Sequence, residues 1–307
     1  MLAYEIQVRA QRLLDRIAAL KASGRFEYVE PDFIRALNAQ PTDNTFSDGT
    51  LWGLRNTGQN GGVSGADIGA MAAWDITTGS TNVIVAVVDT GIRYTHQDLT
   101  ANVWRNPGES AGGRETNGID DDGDGYIDNV HGINAITGSG NPMDDNGHGS
   151  HVSGTIGEAT NNGHPHVGVA WNVRLMACRF LDAGGGGYIS DEIECLQFAL
   201  AKGARVINAS YGGYFYSQTE FEVIRDLRDH GVLFVAAAGN DAWNNASYLH
   251  HYPSSHDLPN IIAVAALDRT DHLACFSNFG QTTVDLGEQN LLHLLRVLAL
   301  TRRRPAT

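Results

Sequence analysis

Unbroken apolar runs separated by stretches with helical spacing dominate the chain from residue 83 to residue 267. The runs are rich in β-branched residues and cover residues 83–89, 205–210, 233–240 and 261–267, with 172–180 as a fifth, weaker candidate. Runs without alternation suit strands that are buried on both faces. The helical stretches between them cover residues 148–159, 191–202 and 218–230. This order predicts an α/β fold whose mainly parallel sheet is covered by helices.

A separate amphipathic helix is expected at the start of the chain. Apolar residues recur there at three- to four-residue steps from Ile6 to Leu20, and Gly24 is suited to end the helix. A short strand, FEYV, follows at residues 26–29. The polar, glycine-rich residues 42–69 are predicted to form a surface loop that leads to the main body.

Composition divides the chain into three parts. Residues 1–40 form an opening segment, and residues 41–287 contain the predicted sheet. Residues 288–307 are rich in leucine and arginine and contain neither glycine nor serine, so the composition changes abruptly at Gly287. We interpret this last part as a divergent tail.

Charge narrows the classes of function. With 21 basic and 35 acidic residues the formal net charge is −14, which argues against nucleic-acid and anionic-membrane partners. No apolar run reaches the roughly 18 residues that a membrane span needs, and the start lacks the order of a secretory signal. Cys178, Cys195 and Cys275 are odd in number and widely spaced, so we expect buried thiols rather than a disulfide framework.

Three polar residues stand where predicted elements meet the carboxyl edge of the sheet. Asp89 ends the first apolar run, at the edge where open α/β sheets bind ligands. His148 begins a predicted helix directly after a glycine, and Asn240 closes another run, where its amide N–H could face a developing oxyanion. Taken singly, Asp89 and Asn240 could simply form turns, and a zinc site at His148 and His151 is disfavoured by their spacing. The order of Asp89, His148 and Asn240 along the chain is that of the corresponding Asp, His and Asn residues of subtilisin.

The resemblance then becomes specific. The segments VAVVDTGI, HQDL, NGHGSHVSGTI, VINASYGG, VAAAGN, YPSS, PNIIAVAALD and FSNFG resemble successive blocks of the subtilisin-like serine peptidase (subtilase) family, in family order from about residue 83 to residue 287. The resemblance implies a three-layer, doubly wound, mainly parallel α/β fold that is incomplete at its carboxyl end. It also implies serine-type endopeptidase activity. The opening segment resembles the remnant of a subtilase propeptide.

By this resemblance, Asp89 orients and stabilises the imidazole, His148 is the general base and Asn240 is the oxyanion donor. Two segments are similar to those that pair with an extended peptide, and a third is similar to the lining of a side-chain pocket. The implied substrate-binding residues are Gly185, Gly186, Ser210, Tyr211, Gly212, Ala238 and Gly239. The implied partners are extended polypeptides. We expect a monomer that binds neither nucleic acid nor membrane and, by resemblance alone, an extracellular location.

One departure concerns the nucleophile. The family carries it in a GTSMA-type segment well beyond the FSNFG block, and none of the serines in this sequence lies in such a segment. We therefore expect a subtilase sequence truncated before its nucleophilic serine, inactive as an isolated chain. The alternative is a non-catalytic relative that binds peptides or calcium.

An acidic loop predicts structural calcium. In NGIDDDGDGYIDNV the carboxylates follow the spacing of a calcium loop, although His131 stands where a bidentate glutamate is usual. The predicted ligands are Asp120, Asp122, Asp124, Tyr126 and Asp128. A solvated acidic loop is the alternative, but five neighbouring carboxylates would repel one another without a cation. Family resemblance alone suggests a second, weaker site at Asp98 and Asn162.

Overall fold

The computed structural model describes residues 14–25, 29 and 40–287. The chain divides into two compact units, with the boundary between Asn38 and Ala39. In the first unit, residues 14–22 are helical and the helix ends in a turn at residues 23–24, as predicted. The start of that predicted helix, residues 26–28 of the strand proposed at 26–29 and the tail at 288–307 lie outside the described residues. The limits proposed for the propeptide-like segment and the tail stay predictions.

A parallel sheet forms the centre of the second unit. Its strands are β1 (Gly79–Asp89), β2 (Gly132–Asn134), β3 (Asn172–Arg179), β4 (Val206–Ala209), β5 (Leu233–Ala237), β6 (Ile261–Ala265) and β7 (Leu286–Gly287). Within the described residues their spatial order is β2-β3-β1-β4-β5-β6-β7, and each neighbouring pair is parallel. All strands therefore end at the same edge, which brings the segments after β1, β3, β4 and β5 next to one another.

The second unit contains five described α-helices, and the last three of them cover the two faces of this sheet. They are α1 (Asn44–Ser47), α2 (Ala70–Trp74), α3 (His148–Gly157), α4 (Ile189–Ala201) and α5 (Gln218–Asp229). Side chains of β1 alternate between two cores: Ala86 and Val88 pack with the apolar faces of α4 and α5, whereas Val85 and Val87 pack with α3. This alternation buries both faces of the strand. It confirms the three-layer, doubly wound α/β prediction.

Two local predictions were wrong. Residues 42–69 do not form only a surface loop, because they contain α1 and bury Phe46 and Leu54 in a small cluster with Trp74 and Val167. Among the cysteines, Cys178 and Cys195 are buried as expected, but Cys275 is exposed. The described helices are all too short or too polar to cross a membrane.

Candidate active site

Asp89 and His148 form a hydrogen-bonded pair at the carboxyl edge of the sheet. The Nδ1 atom of His148 lies 2.8 Å from Oδ1 and 3.0 Å from Oδ2 of Asp89. Asp89 is fully buried, and its Oδ1 also accepts the backbone N–H of Thr90 at 2.7 Å. Half of the His148 side-chain surface is exposed. An ionised carboxylate only accepts hydrogen bonds, so the contact places the proton of a neutral imidazole on Nδ1 and leaves Nε2 as a base.

The start of α3 is built to bring His148 to Asp89. The backbone N–H of Gly149 donates to Oγ1 of Thr90 at 2.9 Å, and a side chain at Gly149 would collide with the carbonyl of Gly91 at 2.2 Å. A glycine is therefore required where the helix approaches the strand end.

Asp144 supports this turn and was not identified from the sequence. Its carboxylate accepts N–H groups of Asn146, Gly147 and Ser150 and the hydroxyl groups of Thr90 and Ser150. Burial alone would raise the pKa of Asp144, but these donors outweigh it and lower the pKa below its usual value. The ionised carboxylate thus fixes the turn that presents His148. The local signal was the first of the two aspartates before NGHGSH, a residue type that often stabilises turns.

Asn240 lies in the turn that follows β5, with an exposed side chain. The turn is held by Asn278, which is fully buried and whose Oδ1 accepts the N–H groups of Asp241 at 2.8 Å and Trp243 at 3.1 Å. The N–H of Asn278 donates to the carbonyl of Gly239 at 2.9 Å. Asn278 therefore sets the backbone on both sides of Asn240. It belongs to the FSNFG block, but the sequence alone assigned it no role.

Two predicted peptide-binding segments lie at the same edge. Ser210, Tyr211 and Gly212 follow β4, the strand between β1 and β5, so they stand between Asp89 and Asn240. Gly185 and Gly186 follow β3 in a loop that Asp182 organises: its Oδ1 accepts the N–H groups of Gly184 at 2.8 Å and Gly186 at 3.1 Å. The topology thus places one segment on each side of the β1 strand end.

A buried histidine fills the space between two of the predicted substrate-binding residues. A Cβ added to Gly212 would lie 2.1 Å from Cε1 of His251, and one added to Gly239 would lie 2.9 Å from its Cδ2. His251 is 7% exposed, and burial lowers its pKa. A neutral imidazole therefore packs against both glycines. The sequence reasoning missed His251, because no local motif marks it.

The described residues contain no serine hydrogen-bonded to the His148 imidazole; Asp89 alone contacts it in this way. The Nε2 edge of the ring is the position from which a general base would take the proton of a nucleophile.

The acidic loop gathers only part of its predicted ligand set. Carboxylate oxygens of Asp120 and Asp122 lie within 4.8 Å of one another and of a carboxylate oxygen of Glu109, a residue that the motif did not include. Glu109 is fully buried. Its Oε1 accepts the N–H of Asp121 at 2.7 Å, whereas its Oε2 has no hydrogen-bond partner among the described residues. A buried, unpartnered carboxylate oxygen beside two further carboxylates fits a hard cation such as Ca²⁺.

Two of the predicted ligands, Asp122 and Asp124, contact a lysine. Lys202 Nζ lies 2.6 Å from Asp122 and 2.7 Å from Asp124. Burial would lower the pKa of Lys202, but the hydrogen bonds that its ammonium group donates to both carboxylates raise the pKa above its usual value. Asp128 accepts the N–H of Gly118 and does not join the carboxylate group around Glu109. The ligand role of Tyr126 stays a prediction.

The second predicted calcium pair is in contact. Nδ2 of Asn162 donates to Oδ1 of Asp98 at 2.7 Å, and Asp98 is almost completely buried. Burial raises the pKa of Glu158, and electrostatic repulsion by the nearby Asp98 raises it further. Two carboxyl groups and an amide thus meet here.

Comparisons with known proteins place this geometry in a family. A model of the Subtilase family matches residues 80–291. The chain is 35% identical over 271 residues to the "Thermophilic serine proteinase" of Bacillus sp. (strain AK1), covering 88% of this chain and 56% of the relative. It is 35% identical over 208 residues to the "Halolysin-like extracellular serine protease Nep" of Natrialba magadii, covering 68% and 34%. The chain thus spans about half or less of these curated relatives.

A solved structure shares the fold. It is described as proteases from Pseudoalteromonas arctica PAMC 21717, and it aligns with a TM-score of 0.62 at 27% identity, covering 81% of this chain and 72% of that one. The family match covers the parallel sheet, except for Gly79 at the start of β1, together with Asp89, His148 and Asn240. The chain belongs to the Subtilase family, the subtilisin-like serine peptidases.

Proposed function

We propose that this chain carries the peptidase domain of a subtilisin-type serine endopeptidase. The observation that supports it most is the hydrogen bond between buried Asp89 and half-exposed His148 at the carboxyl edge of the sheet. Structural ion pairs also occur at strand ends. Here, however, half of the His148 side-chain surface is exposed and its Nε2 has no hydrogen-bond partner among the described residues, an arrangement that stability alone does not need.

The three polar residues have distinct roles in this proposal. His148 Nε2 takes the proton of a serine hydroxyl as the hydroxyl attacks a peptide carbonyl, and then returns it to the leaving amine. Asp89 keeps the proton of the neutral ring on Nδ1 and stabilises the imidazolium that forms. Asn240, with its exposed side chain in the turn fixed by Asn278, donates its amide N–H to the oxyanion.

The substrate in this proposal is an extended polypeptide. Its main chain pairs with Ser210–Gly212 on one side and with Gly185 and Gly186 on the other, as a strand added between two segments. The substrate side chain that precedes the scissile bond points toward Ala238 and Gly239. Because His251 lies against Gly212 and Gly239, the pocket favours small side chains.

A polypeptide of these 307 residues alone is expected to bind peptide without hydrolysing it, since none of its described serines is hydrogen-bonded to His148. In subtilisin, loss of the serine lowers kcat by about 10⁶. A non-catalytic peptide-binding or calcium-binding role is the second candidate, and it is favoured by the same observation.

A covalent fluorophosphonate probe for activated serines tests the assignment, applied to the full chain with and without calcium. We expect no labelling of this chain by itself. Labelling that Asp89→Asn abolishes would overturn the inactive expectation and support the peptidase. Labelling that persists in Asp89→Asn would contradict the proposed pair, because the reactive serine would not depend on it.

Calcium is proposed as a structural ion. At the acidic loop, Glu109, Asp120 and Asp122 would hold it, supported by the unpartnered Oε2 of Glu109. At a second, weaker site Asp98 and Asn162 would contribute oxygens, and this requires the Asn162 amide to turn its oxygen toward the ion. The ion would stabilise the loops between β1 and α3 and would take no part in the reaction.

We also propose that the protein acts outside the cell as a monomer, without nucleic-acid or membrane partners. The name of the Natrialba relative describes that protein as extracellular. The net charge of −14 supports the absence of polyanionic partners.

A further inference from the structure

Two buried carboxyl groups face each other beneath Ser210–Gly212, the segment proposed to pair with the peptide main chain and called here the peptide-pairing segment. Glu192 on α4 is 2% exposed and Glu220 on α5 is 3% exposed. Burial, followed by the charge of Glu220, raises the pKa of Glu192 well above its usual value, and a hydrogen bond between the two carboxyls contributes to this rise. Neither group belongs to the catalytic arrangement described above. A carboxyl pair in the interior is costly unless it holds a proton or a counter-charge.

The pair is tied to the peptide-pairing segment through Tyr211. The phenol O–H of Tyr211 donates to Oε1 of Glu192 at 2.7 Å. On the other side, Nε2 of His256 lies 2.6 Å from Oε2 of Glu220. An ionised Glu220 accepts from His256 and from a protonated Glu192, while Glu192 accepts from Tyr211. The hydrogen bonds therefore form one chain from Tyr211 to His256 that is complete only when one carboxyl is protonated.

The sequence position of Glu220 makes its inward orientation informative. Ser217 caps α5 by accepting the N–H of Glu220 at 3.2 Å, and a glutamate at this helical position usually turns back to the cap residue. Here Glu220 instead points inward and contacts Nε2 of His256. The Nδ1 of His256 has no hydrogen-bond partner among the described residues. The Glu220 side chain thus makes the buried contact with His256 instead of a hydrogen bond to the cap residue.

No lysine or arginine in the described part of the chain forms an ion pair or hydrogen bond with either carboxyl. The titratable groups that face the pair are Tyr211 from the segment after β4, Cys195 from α4, and Tyr216, Tyr252 and His256 from the surrounding loops. His256 is the one group among these that can supply a positive charge. Two ionised carboxylates would therefore share at most one cation.

We propose that Glu192 and Glu220 share one proton and act as a positioning pair that holds Tyr211, and with it the peptide-pairing segment Ser210–Gly212. The role in peptide binding rests on the proposed function. The effect extends to the catalytic strand end, because the Tyr211 ring packs edge-on against Phe180 at 4.6 Å and the N–H of Phe180 donates to the carbonyl of Asp89 at 3.0 Å.

The pair makes the segment sensitive to a rise in pH. Since the pKa of Glu192 is raised in the folded chain, the folded chain binds more protons than the unfolded chain between the two pKa values. The stabilisation is complete at acidic pH and is lost as pH rises through the folded value. Loss of the proton puts two carboxylates in contact and removes the donor between them, which loosens Tyr211.

Amide hydrogen exchange on the full chain tests the proposal in a pH series that starts at about pH 4, near the ordinary pKa of a glutamate, and ends at the highest pH at which the chain stays folded. The rates are corrected for the intrinsic exchange rate. The readout is protection of Gly213 and Tyr252, whose N–H groups bond to each other's carbonyls next to the segment. We expect this protection to fall about tenfold as the pH rises, which corresponds to about the free energy of one hydrogen bond to a charged group. In Glu192→Gln it should stay constant, because the amide cannot lose a proton. Glu222→Gln, at a partly exposed carboxyl of α5, should behave like the unmodified chain.

Tyr211→Phe provides a second variant, which keeps the ring on Phe180 and removes the donor. It should show at acidic pH the lower protection that the unmodified chain reaches only at higher pH. The proposal is overturned if Glu192→Gln keeps the pH dependence, if the unmodified chain has none, or if Tyr211→Phe is fully protected. Should Glu192→Gln not fold, Tyr211→Phe decides. No peptide is needed, so a chain that exchanges as expected but binds no peptide would refute the proposed function and not this pairing.

Discussion

The imidazole of His148 is fixed by Asp89 from one side only, through contacts of 2.8 and 3.0 Å to its two carboxylate oxygens. The carboxylate is buried and the ring is half exposed. A general base of this kind needs a group that orients the ring through one nitrogen and a second nitrogen that is open to accept a proton. The relationship joins residues on β1 and α3, and the parallel topology places beside it the two segments that we propose to bind the peptide.

Asp89→Asn should change the tautomer of His148. An asparagine amide would donate to Nδ1, so the proton of the neutral ring moves to Nε2, and Nε2 is lost as a base. Nitrogen-15 NMR of the imidazole measures this directly, without requiring catalysis. Asp145→Asn is the control, since Asp145 pairs with Arg179 on the surface and should leave the tautomer unchanged. An unchanged tautomer in Asp89→Asn would contradict the assigned role.

Asp144→Asn should destabilise the turn that presents His148. The substitution removes the acceptor of the Ser150 N–H and hydroxyl, at a cost of about 1–3 kcal/mol. Because the pKa of Asp144 is lowered in the folded chain, its stabilisation is present above the unfolded value and is lost as pH falls through the folded one. Urea unfolding from about pH 3 to pH 7 should show a smaller acid dependence in the variant. If the free energy of unfolding depends on pH equally in both chains, the ionised Asp144 does not stabilise the fold in this way.

His251→Gly should widen the side-chain pocket. The imidazole that separates Gly212 from Gly239 is removed, so peptides ending in phenylalanine should bind about tenfold more tightly relative to peptides ending in alanine. Fluorescence anisotropy with the two peptides gives the ratio. His250→Gly is the matched control, because His250 instead contacts the carbonyl of Asn245 at 2.9 Å. If His250→Gly and His251→Gly change the ratio equally, His251 does not limit the pocket.

Calcium should raise the melting temperature of the unmodified chain, and Glu109→Gln should remove this response. An ion at about 100 times its dissociation constant adds about 2.7 kcal/mol. Asp128→Asn should keep the response, because Asp128 does not join the group around Glu109. Calorimetry with and without calcium distinguishes the two ligand sets. Loss of the response in Asp128→Asn but not in Glu109→Gln would favour the regular calcium loop predicted from the sequence.

The sheet could be predicted because its signal is local. Unbroken apolar runs located β1, β4, β5 and β6, and β3 was found as a weaker run. The very short β2 and β7 were missed, since two or three residues carry no periodicity. Asp89 and His148 were identified from the elements that they end and begin, and their contact follows from the topology.

Residues whose role depends on distant contacts could not be predicted. Glu109 joins the acidic loop from outside its motif, and His251 reaches Gly212 and Gly239 across the fold. Glu192 and Glu220 lie on two different helices. In each case the sequence gives the residue type, but only the packing decides which group it faces.

The central claim is that an extended peptide binds at the edge of the sheet beside His148. Nitrogen-15 NMR of His148 in the full chain, titrated with an extended peptide and with its N-methylated analogue, tests it most directly. We predict a saturable shift of the His148 resonances with the unmodified peptide and a loss of that shift when N-methyl groups block main-chain pairing. A folded chain whose His148 resonances respond to neither peptide, or equally to both, would contradict the account.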